Sequence, residues 1–134
     1  RASQAGVTIE LIVRGVCRLC PGIPGVSDNI TVRSVVGRFL EHTRVYNFFA
    51  DGEELVFAAS ADWMTRNLVR RVEACFPIEE PSLKARVIQE TFTTYLADNQ
   101  QSWELQSNGS YVRVDANGDA ELNAQATLLS QLSG

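Results

Sequence analysis

The chain has 134 residues, 45 % of them hydrophobic and 21 % charged, the size and composition of one globular domain. Its net charge of −4 argues against nonspecific nucleic-acid binding, which needs a broad basic surface. No apolar run reaches membrane-spanning length, and the opening RASQAGVTIEL has neither an initiating Met nor a signal-peptide pattern, so a fragment of a longer protein is expected.

In chain order, GVTIELIVRG alternates as a strand does, with Val7, Ile9, Leu11 and Val13 on one face and Arg14 at the strand's end. PGIPGVSDN is a loop by composition. ITVRSVVG reads as a second strand, with Arg33 on the face opposite Val32 and Ser34. In EHTRVYNFF the period of two predicts that His42, Arg44, Tyr46 and Phe48 share one face. Asp51-Gly52 is a hairpin signal, ELVFAAS returns as the partner strand and leads into ADWMTRNLVRR, and VEACFPI is a further strand. From Ser82, a plausible N-cap behind Pro81, the period changes, and Leu83, Val87, Ile88, Phe92, Tyr95 and Leu96 make a helical stripe. WELQ-SNGS-YVRV predicts a hairpin around Asn108-Gly109, and Leu122, Ala126, Leu129 and Leu132 a last short helix. Trp63 and Trp103 are expected as core anchors. The mixture predicts an α/β fold: a single layered domain over residues 1–134, with a mixed β-sheet flanked by helices.

Three cysteines, Cys17, Cys20 and Cys75, fit a reducing compartment better than a disulfide framework. Cys17 and Cys20 form a C-x-x-C, yet Cys75 and His42 are not spaced as a second metal-binding pair, so buried or incidental thiols are expected and no metal residue is assigned. The charge is uneven. Residues 1–71 hold nine arginines against seven acids, and residues 72–134 hold three basic residues against nine acids. All the basic residues but Lys84 are arginine, whose planar fork matches phosphate oxygens as lysine cannot.

The single histidine belongs to an H-x-R, His42 and Arg44. On a strand these side chains point the same way and can reach one ligand together: imidazole donates, accepts or moves a proton, and guanidinium clamps a phosphate oxygen. A structural histidine beside a surface arginine is the plain alternative. Beyond it, ASADWMTRNLVRRVE supplies Ser60, Asp62 and an Arg-Asn turn, and the whole resembles half of a phospholipase D-type motif. In that motif H-x-K is followed after four residues by Asp, with a G-S-x-N further on. Here Arg44 stands at the Lys position, Phe49 at the Asp, Ala59 at the Gly and Asp62 at the Asn.

Those departures match one branch of that superfamily. IELIVRG, PGIPGVSDNI, RSVVGRFLEH-x-R and SADWMTRNL-x-RRVE, in this order, resemble the C-terminal, phospholipase D-like domain of the polyphosphate kinases that make long-chain polyphosphate. The likeness runs from about Ala2 through the Leu96 helix into the last hairpin. It implies reversible transfer of the terminal phosphate of ATP to polyphosphate, through a phosphohistidine on a preceding domain. His42 is implied as a second active-site histidine that contacts the nucleotide phosphates and acts as acid or base, and Arg14 as a phosphate-binding arginine. Mg2+ is implied as cofactor, with ligands outside this segment. The implied partners are ATP or ADP, polyphosphate and the preceding domains, with a homo-oligomeric full-length protein and no nucleic acid. The implied setting is cytoplasmic, with membrane association as a variant. A polyphosphate channel needs cations, and Arg33, Arg44, Arg66, Arg70 and Arg71 are candidates for its lining, with Asp62 holding one of them in place. Two other readings stay open: a phospholipase D-like phosphodiesterase half-site, and a noncatalytic phosphate-binding module.

Overall fold

Two tight turns, at Asp51-Gly52 and at Asn108-Gly109, each join a pair of antiparallel strands. The computed structural model describes residues 1–133. The described strands are β1 (Ile9–Ile12), β2 (Ile30–Val35), β3 (Val45–Ala50), β4 (Glu53–Ala59), β5 (Cys75–Pro77), β6 (Ser102–Leu105) and β7 (Tyr111–Arg113). The helices are α1 (Thr65–Arg70), α2 (Pro81–Ile88), α3 (Thr94–Leu96) and α4 (Ala124–Leu132), with a π-helical turn at Gln89–Thr93 between α2 and α3. Among the described residues no helix is long and apolar enough to cross a membrane.

The chain divides into two compact units, one of Arg1–Glu41 with the residues from Thr94 onward, the other His42–Thr93. The expected α/β mixture with helices is present, and its strands fall into two sheets. The reason lies in β2, which has no edge left for β3: β1 pairs with it in parallel on one side and β6 antiparallel on the other.

In the first unit the sheet order is β1-β2-β6-β7. Val32, Val35, Leu105 and Ala124 are buried, and a fully buried valine contributes about 1.5–3 kcal/mol. The polar centre is Asp98, itself fully buried. Its Oδ1 accepts from the backbone N–H groups of Gln100 (3.0 Å) and Gln101 (2.7 Å), and its Oδ2 from that of Ala124 (2.7 Å). One carboxylate thereby ties the turn before β6 to the first residue of α4. Asn123 caps that helix, its Oδ1 accepting from the Ala126 N–H at 3.0 Å. The predicted last hairpin is present as β6 and β7, with Gly109 at φ 85° in the turn. Trp103, expected in the core, is 38 % exposed on β6.

The second unit is the antiparallel sheet β3-β4-β5 with α1, α2 and the π turn. Asp51 and Gly52 have φ of 53° and 80° and join strands that pair Ala50 with Glu53, the positive-φ pair that a two-residue hairpin requires. Val56 is almost fully buried, but Phe48, Phe49, Leu55, Val69, Val72 and Phe76 are exposed. ADWMTRNLVRR, given no element from sequence, contains α1, of which only Asn67 is buried. For α2 the N-cap is Glu80 and not Ser82. The Glu80 carboxylate accepts from the Leu83 N–H at 2.7 Å and from the Ser82 hydroxyl at 2.5 Å, and Pro81 opens the helix. These bonds hold the Glu80 carboxyl below the ordinary glutamate range, the Ser82 hydroxyl contributing most.

Candidate active site

His42 is exposed and lies ahead of β3, not on it. The expected strand face running from His42 through Arg44 to Phe48 therefore starts only at Val45. The partner strand explains this: Ala58 pairs with Val45, the Ala59 N–H reaches the Arg44 carbonyl at 2.9 Å, and at Ser60 the backbone turns to Ala74. Residues 42 and 43 thus lie outside the β3–β4 ladder, which begins at Val45. Arg44 instead folds back, its Nη1 donating to the His42 carbonyl at 3.0 Å and its Nε to Asp62 Oδ1 at 2.8 Å. Asp62 and Arg44 are both partly shielded, and the Asp62 hydrogen bond raises the Arg44 pKa further above its usual value, burial opposing it. The H-x-R and the S-x-D of the sequence are thus brought together through the Arg44–Asp62 pair.

Ser60 and Asn67 converge on a second acid, Glu73, to which sequence reasoning gave no role. Ser60 Oγ donates to Glu73 Oε2 at 2.5 Å and accepts from the Ala74 N–H at 3.0 Å, while Asn67 Nδ2 donates to Glu73 Oε1 at 2.9 Å. These two bonds, Ser60 first, hold the Glu73 carboxyl below the ordinary range, with Arg71 and Arg44 adding to the effect. Ser60, Asn67 and Glu73 all stood in the quoted motif, but what brings Glu73 to the other two is the return of β5 beside β4, which the motif's spacing does not show. An open trough of about 530 Å³ runs here, lined by Tyr46, Phe57, Trp63, Asn67, Arg71 and Glu73 among others. Trp63, expected as a core anchor, is 77 % exposed. Its ring lies 5.9 Å from that of Tyr46 and its Nε1 donates to the Tyr46 hydroxyl at 2.9 Å. Arg66 and Arg70 are exposed on α1, and Arg71 is exposed just after it.

Arg14 and Arg33 belong to the first unit. Arg14, two residues past β1, is exposed, and its Nη1 donates to the Glu41 carbonyl at 2.6 Å. Glu41 Oε1 in turn accepts from the Tyr95 hydroxyl and from Gln125 Nε2, both at 2.6 Å. Burial first, and the Glu41 carboxylate second, push the Tyr95 hydroxyl pKa up. Arg33 sits on β2 with its side chain largely shielded. It donates to Glu104 Oε1 at 2.9 Å and to the carbonyls of Leu96 and Asp98. Cys17, Cys20 and Cys75 are free thiols, and Cys20 and Cys75 are exposed where buried positions were one expectation. Among the described residues, no three His, Cys, Asp or Glu side chains group as a metal site.

The class these features define is a two-sheet α/β domain carrying an exposed histidine and a carboxylate-locked arginine. The family model described as polyphosphate kinase C-terminal domain 2 matches residues 1–125. The chain belongs to that family. It is 61 % identical over 130 residues to a polyphosphate kinase of Burkholderia multivorans, covering 97 % of this chain and 19 % of that protein. It is 57 % identical over 134 residues to a polyphosphate kinase of Pseudomonas aeruginosa, covering 99 % of this chain and 19 % of that protein. The crystal structure of polyphosphate kinase from Porphyromonas gingivalis matches with a TM-score of 0.92 at 39 % identity, over 99 % of this chain and 20 % of that one. The chain thus spans about a fifth of the length of these relatives.

Proposed function

We propose that this segment is the C-terminal catalytic part of a longer polyphosphate kinase and helps transfer the terminal phosphate of ATP, reversibly, to polyphosphate through a phosphohistidine on a preceding domain. The observation that carries this reading is the H-x-R of a family member with an exposed histidine followed by a locked arginine. His42 contacts nucleotide phosphates, and its imidazole donates a proton to, or takes one from, a phosphate oxygen as charge moves between donor and acceptor. Arg14 binds phosphate with a guanidinium tethered to the Glu41 carbonyl. Asp62 holds Arg44 by Nε, so that little side-chain entropy remains to be lost when an anion arrives. Arg44, Arg66, Arg70 and Arg71 meet the charge of polyphosphate, about one per unit. Arg33 we assign to the scaffold, because its donors engage Glu104 and two backbone carbonyls.

Mg2+, when bound, neutralises phosphate charge. Among the described residues no three His, Cys, Asp or Glu side chains group as a metal site; its ligands are assigned outside this segment from the family resemblance, and no step is routed through it. ATP or ADP, polyphosphate and the preceding domains are the partners, in a cytoplasmic homo-oligomer. The test is phosphoryl transfer in the complete natural chain. His42→Ala lowers kcat by about 10²- to 10⁴-fold, while label from ATP is found on a histidine outside this segment. A stable phosphohistidine at His42 overturns these roles, and unchanged ATP and polyphosphate binding in Arg14→Ala and His42→Ala favours a noncatalytic module.

A further inference from the structure

We propose that Gln125, Tyr95 and Glu41 form a clamp that positions Arg14 for its phosphate, an inference that rests on the reading of Arg14 given above. The stretch from Val36 to Glu41 has no helix or strand of its own, so its backbone groups bond to side chains, to other segments or to water. Gln125, on α4, holds it as a neighbouring strand would: the Phe39 N–H donates to Gln125 Oε1 at 2.8 Å, and Gln125 Nε2 donates to the Phe39 carbonyl at 2.8 Å. The same Nε2 also reaches Glu41 Oε1 at 2.6 Å, where the Tyr95 hydroxyl delivers a second bond of 2.6 Å. Gln125 is 6 % exposed, so its amide is committed to these partners.

Glycine at position 37 belongs to the same device. A Cβ there would lie 2.4 Å from Gln125 Oε1 and 2.8 Å from its Cδ, so any larger residue displaces the amide that holds Phe39. What the clamp delivers is the Glu41 carbonyl, and the 2.6 Å bond from Arg14 Nη1 to that carbonyl restrains the guanidinium. An arginine on an exposed loop has four torsions to freeze before it can chelate an anion. One already tethered to a held carbonyl meets phosphate with part of that entropy already lost. Gln125, Tyr95 and Glu41 are positioning residues here, acting through Arg14 and not on phosphate.

The experiment measures KM for ATP and kcat in the complete natural chain, with thermal stability alongside, for Gln125→Ala, Tyr95→Phe, Gly37→Ala and Arg14→Ala, and for each of the first three combined with Arg14→Ala. The clamp predicts that each single variant raises KM for ATP by about tenfold, and that adding it to Arg14→Ala changes KM by less than about twofold. Tyr95→Phe removes one oxygen atom and keeps the test readable if Gly37→Ala or Gln125→Ala fails to fold. Single variants with unaltered KM, or losses that multiply with that of Arg14→Ala, overturn the clamp and leave the phosphate role of Arg14 standing. An Arg14→Ala protein with unaltered KM overturns that role, and the clamp with it.

Discussion

Asp98 and Asp62 are both bonded by strong donors, one in each unit, and they illustrate two uses of the same side chain. Asp98 is wholly buried and takes three backbone N–H bonds, so it serves the chain's own polar groups and links parts of the first unit far apart in sequence. Asp62 is partly open and holds the guanidinium of Arg44, in a unit where Phe48, Phe49, Trp63 and Phe76 are exposed. A buried acceptor of amides holds a fold together. A half-open partner of an arginine directs a charge. The first unit therefore concentrates its polar network inside, and the second exposes its own along a trough.

Removing Asp98 should give the largest effect. Asp98→Ala takes the acceptor from the buried Ala124 N–H and from the part-buried N–H groups of Gln100 and Gln101 and costs about 3 kcal/mol, seen as lost amide-exchange protection in β2 and α4. If that loss is no greater than for Asp62→Ala, the contrast between the two acids disappears. Val56→Ala costs about 2 kcal/mol by cavity formation, with lost protection confined to β3-β4-β5; protection lost equally in β1 and β2 would show that the two units do not open separately. Asp62→Ala should lower kcat/KM for polyphosphate by about tenfold with little change in exchange protection, and an unfolded variant would move Asp62 into the class of Asp98.

A smaller effect concerns Glu73. Ser60 and Asn67 bond its ionised form and lower its folded pKa, so the stabilisation is present above the ordinary glutamate range and is lost as pH falls through the lower, folded value. Ser60→Ala should flatten the acid-side fall of stability in the second unit and leave neutral-pH stability of the first unchanged, which thermal scans at neutral and acid pH would resolve. The smallest change is expected for Glu80→Ala, which removes the α2 cap; fraying limited to the first turn of α2, by amide exchange, is the result to look for.

Much of this was legible in the residues. Period-two alternation located β1, β2 and β4, Asp51-Gly52 the hairpin, and Asn108-Gly109 the last turn, because each rests on neighbours along the chain. His42, Arg44 and Asp62 were singled out from motif spacing, and the structure joins two of them directly. The misread features have a common cause. The strand face through His42 ends early because β4 turns away at Ser60. Trp63 is exposed with its ring beside that of Tyr46, a placement that no count of apolar residues foretells. The Glu80 cap differs by two residues from the expected Ser82, since the Glu80 side chain reaches forward to the Leu83 N–H and also takes the Ser82 hydroxyl.

By itself, then, the order of residues determined which segments extend or coil, where the chain turns, which arginines were worth watching, and, through four ordered motifs, the family to expect. Only tertiary structure decided how the charged groups pair. Gln125 meets Glu41 across 84 residues of sequence, Arg33 meets Glu104 across 71, and Asp98 meets Ala124 across 26. Local patterns report the short-range sterics and burial of a residue with its near neighbours. A hydrogen bond between distant segments depends on which edges and loops the packed strands leave facing one another, and that is set only when the sheets have formed.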